Sequence, residues 1–413
     1  MDSRNINEFL SYFNNEILKQ GKESIPVNCV CTDSREFKKG DVFLALKGEK
    51  HDGHCYLKDV APLASALIIE NGYFNDIKNE LKDDLWVFGV NDALISYHEI
   101  AKSYLETLKH LKKVAVTGSS GKTTTKEIIR AILSAKFKTY ANKGNLNNKF
   151  GVPKTALEIT EDTEIAVFEM GMGAPNDIEK LAWIVKPDVA CITTISEAHI
   201  EFFKSIEEIA LTKKGIFKYF NDGCYAVLNK DEPLYPILIQ SIKGKILSFE
   251  KNDLKKIKII DNLGLNGYKL CVGGTEIVYP LGGGHNLINL MFGISIARIF
   301  GLTDEEISSG IKNITIPEMR NQIKKGDYLI ILDCYNANPL SMRSALTFFN
   351  ELPSQNNGIK KIAVLGDMRE LGKNSENLHK NIGSFFAKDC KNIEFLFTYG
   401  KYAEYIVENA VEE

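Results

Sequence analysis

At 413 residues, with 44% hydrophobic and 25% charged side chains, the chain has the balance of a soluble globular protein and more length than one hydrophobic core organises, so two to three domains are expected. The 51 Lys and Arg against 54 Asp and Glu leave a formal charge of only -3, which speaks against a nucleic-acid partner. The opening MDSRNINEFL carries neither a basic leader nor an apolar signal core, and no apolar run is long enough to cross a bilayer, so a cytoplasmic location without membrane insertion is expected.

In chain order, residues 1–106 mix short strand-like runs (VNCVC, VFLAL, SALIIE, LWVFGV) with turn clusters and close on a helical pattern from Asp92 to His110, the texture of a small α/β domain. Residues 107–322 change to strand–loop–helix units: VAVTG, a glycine-rich loop, a helix through Leu133, then IAVFEM, VACITTI and a helical stretch from near His285. That alternation predicts a mostly parallel sheet covered by helices. Residues 323–413 repeat it with LIILD, KIAVLGD and FLFTYG and predict a Rossmann-like open sheet. The fold class is α/β throughout. The 8 cysteines are scattered, with only Cys29 and Cys31 close together and no Cys-x-x-Cys pair, so they read as buried small hydrophobes, not as a zinc ribbon or a disulfide framework.

The segment VAVTGSSGKTTT sets Gly118, Ser119, Ser120, Gly121, Lys122, Thr123 and Thr124 between a strand and a helix. Backbone N–H groups of such a loop curl around oxyanions at the positive end of the helix, with Lys122 reaching the β/γ-phosphates and the Thr123 hydroxyl placed for Mg2+. Val116 stands where the general phosphate loop carries Gly or Ala, so the match is to the shorter Thr-Gly-x-x-Gly-Lys-Thr form. Glu169 ends the strand IAVFEM and His199 follows VACITTI. Both therefore sit at the carboxyl edge of the sheet, where open α/β sheets bind ligands. Each alone is weak evidence, since a single histidine is at least as often structural; with the loop they form a candidate Mg2+ pair. Asn145, Asn147 and Asn148 in ANKGNLNNKFGVP carry amides able to donate and accept, although loop asparagines are usually turn formers. Asn286 and Asn289 in GGGHNLINL share one helical face at i, i+3. Asp333 ends a strand, and Pro339 stands just inside the following helix, a ligand-facing strand-to-helix turn.

Taken together, Thr-Gly-x-x-Gly-Lys-Thr-Thr, Asn-Leu-Asn-Asn-x-x-Gly-x-Pro and His-Asn-x-x-Asn resemble the Mur ligases and their relatives, the folylpolyglutamate synthases, which also lack the first glycine of the general phosphate loop. LDCYNANPLSM and AVLGDMRELG resemble the two signatures of the branch that adds D-alanyl-D-alanine. The resemblance runs from Thr32 to about Gly400. It implies an ATP- and Mg2+-dependent ligase, monomeric, that forms an amide between D-alanyl-D-alanine and a UDP-N-acetylmuramoyl-tripeptide in peptidoglycan synthesis. It also implies roles residue by residue. Thr123, Glu169 and His199 would serve Mg2+, and Lys213, fourteen positions after His199, would be carbamylated to supply an anionic bridge. Arg320 would approach the γ-phosphate, Asp333 the ribose, Tyr335 and Asn338 the phosphates, and Asn286 with Asn289 would flank the adenine. Ser34, Arg35, Lys47 and Gly48 would meet the uridine diphosphate, and Asn145, Asn147 and Asn148 the peptide or phosphate-sugar substrate.

The chain departs from the family pattern at three points. Thr212-Lys213-Lys214-Gly215 replaces the usual Ala-Lys-x-Glu, which leaves Lys214 as the alternative and a solvated helix face as the plain reading of both lysines. Cys334 replaces the usual Ser or Thr. Family members normally continue with a further helix, a strand and a Lys-Gly-Ser-Arg loop, none of which KYAEYIVENAVEE is expected to supply, so the expectation is either a sequence cut short of that segment or a third domain that lacks its last strand. Two rival functions follow: a ligase adding another amino acid, and a non-catalytic nucleotide-binding regulator of wall synthesis.

Overall fold

The structure is a computed structural model that describes residues 4–23, 25–48, 51–315, 318–353 and 360–412. It resolves into two compact units: 1–111 with 142–164 and 183–185, and 112–141 with 165–182 and 186–413. The expected third domain, 323–413, falls inside the second unit.

Among the described residues of the first unit, β1 (Glu16–Lys19), β2 (Val30–Cys31), β3 (Val42–Leu44), β4 (Ala66–Glu70) and β5 (Trp86–Val90) form one sheet in the order β1-β5-β4-β3-β2. Only β1 runs antiparallel to its neighbour. The interior strands β3, β4 and β5 read as unbroken apolar runs because both of their faces are covered. Phe43, Leu67, Ile69 and Val87 form the core on one side with Leu57 and Val60. Helix α1 (Ala93–Thr107), capped by Asp92, buries Tyr97, Ile100 and Tyr104, and the Tyr104 hydroxyl donates to the Ile159 carbonyl at 2.6 Å.

The second unit is built on β6 (Lys112–Thr117), helix α2 (Lys122–Leu133), β7 (Thr139–Ala141), β8 (Ile165–Glu169), α3 (Asp177–Val185), β9 (Val189–Ile192), α4 (Ile206–Lys214), β10 (Tyr225–Asn229) and β11 (Lys245–Phe249). The strands run parallel in the order β11-β10-β9-β6-β8-β7. The first strand therefore lies centrally, and its carboxyl end, where the glycine-rich loop begins, is flanked by the ends of β8 and β9. An antiparallel meander, β12 (Lys258–Asn262), β13 (Tyr268–Val272) and β14 (Thr275–Tyr279), follows. Helices α5 (Gly284–Ile299) and α6 (Asp304–Lys312) come next, the latter started by a Thr303/Glu306 capping box. Ile128 and Ile132 of α2 share one core with Val114 and Val116 of β6 and with Leu290 and Ile294 of α5. Each such aliphatic side chain contributes roughly 1.5–3 kcal/mol on burial, so loop and helix are anchored from both sides.

The last part departs from expectation. Strand β15 (Gln322–Lys325) pairs antiparallel with β16 (Leu329–Leu332), while β17 (Ile362–Gly366) pairs parallel with β18 (Phe395–Tyr399). No ladder joins the two pairs among the described residues, so the expected single open sheet is two two-stranded sheets there. The tight Gly326–Tyr328 connection gives β16 a local hairpin partner. Helices α7 (Pro339–Glu351), α8 (Ser375–Asp389) and α9 (Glu404–Glu412) complete the chain. Helix α9 corrects the expectation that the terminal segment supplies no helix: Ile406 is its buried anchor, and Ala403 just before it is buried too. The cysteine expectation is also corrected, since Cys55 and Cys334 are exposed and only Cys191, Cys224 and Cys390 are buried. No helix among the described residues is long and apolar enough to cross a membrane.

Candidate active site

The glycine-rich loop is held from below by the segment that follows β9. The Ser119 N–H donates to the Thr194 carbonyl at 2.7 Å, the Ser196 N–H to the Ser119 hydroxyl at 2.9 Å, and the Ser120 N–H to the Thr194 hydroxyl at 3.2 Å. These bonds use up Ser119 and fix the curve of the loop. The turn then tightens so far that a side chain at Gly118 would begin 1.9 Å from the Thr193 hydroxyl, and Gly121 adopts φ +80 against the Asn289 amide. Helix α2 starts at Lys122, so the N–H groups of its first turn have no intrahelical acceptor and point into the loop. A strand, a braced turn and a free helix N-terminus make an oxyanion seat. Thr123 is partly exposed in that turn, whereas Thr124 is buried.

Two lysines from different elements converge on this seat. Lys122 Nζ donates to the Gly118 carbonyl at 2.8 Å, and Lys213 Nζ, arriving from α4, donates to the same carbonyl at 2.9 Å. Lys213 is only 1% exposed. Its ammonium is pushed well below the usual lysine range by burial first and by the charge of Lys122 second. Burial likewise lowers Lys122, opposed by Glu169 and reinforced by Arg320. Lys214 points elsewhere, donating to the Ile237 carbonyl at 3.0 Å. Gly215 lies against α3, where a side chain would begin 3.2 Å from Glu179, tighter than an ordinary van der Waals contact.

Glu169 ends β8 and is buried, and the adjoining Met170 carbonyl accepts from the Thr117 hydroxyl at 2.9 Å. His199 follows β9 in the left-handed region, φ +66. Burial lowers its pKa; Glu370 opposes that, and Lys213 and Lys122 add to it. The Ile195 N–H donates to Glu232 at 3.1 Å, which steadies the segment leading to His199. Burial in turn raises the Glu232 carboxyl.

The chain after residue 318 reaches the same place. Asn338 caps α7 through the Ser341 N–H at 2.9 Å, and its Nδ2 donates to the Ser120 hydroxyl at 2.8 Å. Arg320 stacks on the Tyr335 ring at 4.5 Å, and Asp333 accepts from the Asn321 N–H at 3.3 Å. The carboxylate of Glu370 meets His199 Nδ1. Asn286 and Asn289 share one face, but that face is buried behind the loop: Asn289 donates to Asn286 at 3.1 Å and accepts from the Thr125 hydroxyl at 3.2 Å. Their amides brace the loop from within.

The remaining expected residues lie in the first unit. Ser34 is partly exposed, and Arg35 is exposed and engaged by Asp33 at 2.6 and 2.9 Å, which holds the Asp33 carboxyl down at about 2. Lys47, next to exposed Gly48, donates to the Tyr73 hydroxyl at 3.5 Å. Tyr73 donates to Asp52 at 2.9 Å, and Asp52 also takes His54 Nδ1 at 2.6 Å. Asn145 is exposed and Asn147 partly so, while Asn148 accepts from the Phe150 and Gly151 N–H groups, each at 3.0 Å, in the turn that leads into the helix Gly151–Glu158.

Several residues of this arrangement carried no signal of their own in the sequence: Thr193, Thr194, Ser196, Glu232 and Glu370. Thr193 and Thr194 lie in VACITTI and Glu370 in AVLGDMRELG, but only their partners reveal what they do.

No three His, Cys, Asp or Glu side chains cluster to hold a metal among the described residues, so there is no self-contained cage. A Mg2+ ion that takes most of its ligands from phosphates and water needs only one or two protein groups. The Glu169 carboxylate lies within electrostatic reach of Lys122, as does the His199 imidazole, and the Thr123 hydroxyl stands in the first turn of α2.

Comparison with known proteins agrees with this geometry. The Mur ligase middle domain matches residues 116–297, and the Mur ligase glutamate ligase domain matches residues 319–412. The UDP-N-acetylmuramoyl-tripeptide--D-alanyl-D-alanine ligase of Bacillus subtilis (strain 168) is 33% identical over 394 residues, 94% of this chain and 84% of that one. The ligase of the same name from Escherichia coli (strain K12) is 30% identical, over 97% of this chain and 87% of that one. A crystal structure of MurF from Acinetobacter baumannii superposes with a TM-score of 0.88 at 28% identity, covering 100% of this chain and 89% of that one. The MurF ligase of Thermotoga maritima in complex with ADP gives 0.77 at 28% identity, covering 92% and 86%. The chain belongs to the Mur ligase family.

Proposed function

We infer that the protein is an ATP-dependent ligase that joins D-alanyl-D-alanine to a UDP-N-acetylmuramoyl-tripeptide in peptidoglycan synthesis. The observation that carries this reading is the convergence of Lys122 and Lys213 on the Gly118 carbonyl of a phosphate loop, in a chain whose relatives bear that name over more than nine-tenths of its length. The tripeptide's terminal carboxylate attacks the γ-phosphorus of ATP, ADP leaves, and an acyl phosphate forms. The D-alanyl-D-alanine amine then attacks the acyl carbon, phosphate leaves, and the nitrogen gives up a proton.

In this scheme Lys122 and the first turn of α2 hold the transferring phosphoryl, and Arg320 approaches it from the chain after residue 318. Thr123, Glu169 and His199 would hold Mg2+, which supplies charge neutralisation on the phosphates. Lys213 would react as the neutral amine its burial favours: the nitrogen attacks the carbon of bicarbonate, water leaves, and a carbamate anion remains. Asp333 is assigned to the ribose and Tyr335 and Asn338 to the phosphates, while Asn286 and Asn289, buried behind the loop, are assigned to its support and not to direct contact with the adenine. Ser34, Arg35, Lys47 and Gly48 are assigned to the uridine diphosphate, and Asn145, Asn147 and Asn148 to the acceptor. The layout is three domains, 1–106, 107–322 and 323–413, with the last closing on the second during turnover, in a cytoplasmic monomer.

The test is ADP release with UDP-N-acetylmuramoyl-tripeptide, offering D-alanyl-D-alanine or single amino acids as the amine. Release that depends on D-alanyl-D-alanine is expected. A preference for a single amino acid would move the protein to another branch, and no release with any amine would favour the non-catalytic alternative.

A further inference from the structure

The contact between Glu370 and His199 plays no part in the scheme above. Glu370 lies in the loop after β17, 171 residues from His199, and its carboxylate takes the Nδ1 side of the imidazole. The loop is seated by more than this pair. The Glu201 N–H donates to the Glu370 carbonyl at 3.1 Å, and a side chain at Gly372 would meet Glu201 at 3.2 Å. His199 and Glu370 are both non-glycine residues in the left-handed region, at φ +66 and +60. A residue with a side chain adopts that conformation at a cost and persists in it where its surroundings hold it. An incidental surface ion pair contributes too little to hold two strained residues face to face.

We propose that Glu370 is a positioning residue for ligation: seated on Nδ1 of His199, it sets the tautomer and orientation of the ring so that Nε2 is the nitrogen presented to the phosphate site. Because Glu370 comes from another segment, the orientation holds only while the loop after β17 is docked on the turn after β9. The role rests on the assignment of His199 to the Mg2+ and phosphate site. The general chemistry supports it: a carboxylate on the far nitrogen of a ligating histidine fixes the tautomer, and losing such a partner typically costs ~10–100-fold in metal affinity or activity. Docking then assembles the site and orients it in one event.

The test uses the full chain carrying Glu370→Ala, Glu370→Gln, His199→Ala and the Glu370→Ala/His199→Ala pair. It reads kcat, KM, Mn2+ affinity in the presence of ADP by electron paramagnetic resonance, and the imidazole N–H signals of 15N-histidine-labelled protein. Glu370→Ala is expected to lower kcat and weaken Mn2+ by about 10–100-fold, with KM for the uridine substrate changed less than about 3-fold. Glu370→Gln, which keeps an acceptor oxygen, should recover part of the loss. The Nδ1–H signal that vanishes in His199→Ala should also be lost or shifted in Glu370→Ala. On the His199→Ala background, Glu370→Ala should add nothing. Additive losses, or an unchanged Nδ1–H signal and Mn2+ affinity in Glu370→Ala, would overturn the proposal while leaving the His199 assignment standing. Full turnover and Mn2+ binding by His199→Ala would show instead that the His199 assignment had failed, and the role of Glu370 with it.

Discussion

The glycine-rich loop and the C-terminal segment supply residues to the candidate site by opposite means. The loop springs from β6, the centre of a parallel sheet whose neighbouring strands β8 and β9 are buried along their length, and its serines are tied to the segment after β9 at 2.7–3.2 Å. Strands β16, β17 and β18 present apolar residues to the surface, with Val364 71% and Phe397 56% exposed. Their segment reaches the site through side chains, Asn338 to Ser120 and Glu370 to His199. A sheet-anchored loop is preset by the core, whereas residues carried on a less embedded segment are placed by docking. The first half of such a site should tolerate little geometric change and the second should govern turnover through its contacts.

The largest expected effect breaks the preset half. Lys122→Ala should cut ligation by roughly 10^2–10^3-fold or more while the melting temperature stays within a few degrees, because it removes a cation from a loop and leaves the core intact. ADP release and a thermal melt check it. Unchanged turnover would show that the loop is not the phosphate seat.

Lys213 sharpens the same half by asking which lysine matters. Lys213→Ala should lose about 10–100-fold in turnover, with partial rescue by bicarbonate or a short carboxylate that occupies the vacated position. Lys214→Ala, which gives up only a bond to the Ile237 carbonyl, should stay active. A dead Lys214 variant, or Lys213→Ala with normal metal binding and no anion rescue, would reverse that choice.

Asn338 probes the docked half. Asn338→Ala removes the α7 cap and the bond to Ser120, so about 1 kcal/mol of stability should go with roughly tenfold in kcat. Steady-state kinetics beside denaturant unfolding separate the two. Loss of stability without loss of kcat would leave Asn338 as a cap alone.

The smallest effect is on stability alone. Burial pushes His285, at the start of α5, down to about 4. Between its ordinary value near 6.5 and about 4, the unfolded chain binds a proton that the folded chain does not. Stability therefore falls as pH falls through that window and levels off below it. His285→Gln should remove up to roughly 3 kcal/mol of this dependence, read from urea unfolding at pH 7 and pH 4.5. An unchanged slope would place the acid sensitivity elsewhere.

What the sequence determined by itself was the material of the site and its local frame. Gly118, Gly121, Lys122 and Thr123 are readable as a candidate phosphate seat because such a seat needs glycine curvature, a cation and a hydroxyl within one strand-loop-helix unit, and all of that is local. The apolar runs of β6, β8 and β9 announce a buried parallel sheet for the same reason, and Pro339 behind Asn338 announces the start of α7. Tertiary structure alone decided which groups meet. That Lys213 and not Lys214 turns to the Gly118 carbonyl depends on how α4 sits over the sheet, and one residue of register is 100° of helix. That Asn286 and Asn289 brace the loop from behind depends on the packing of α5 against α2. The strand pairing after residue 322, a hairpin and a separate parallel pair, was not written in LIILD, KIAVLGD and FLFTYG, because an apolar run specifies burial and leaves its partner open. Glu370 is the clearest case. Nothing within ten residues of it gives the carboxylate a task, and only the fold carries it across 171 positions to the imidazole of His199.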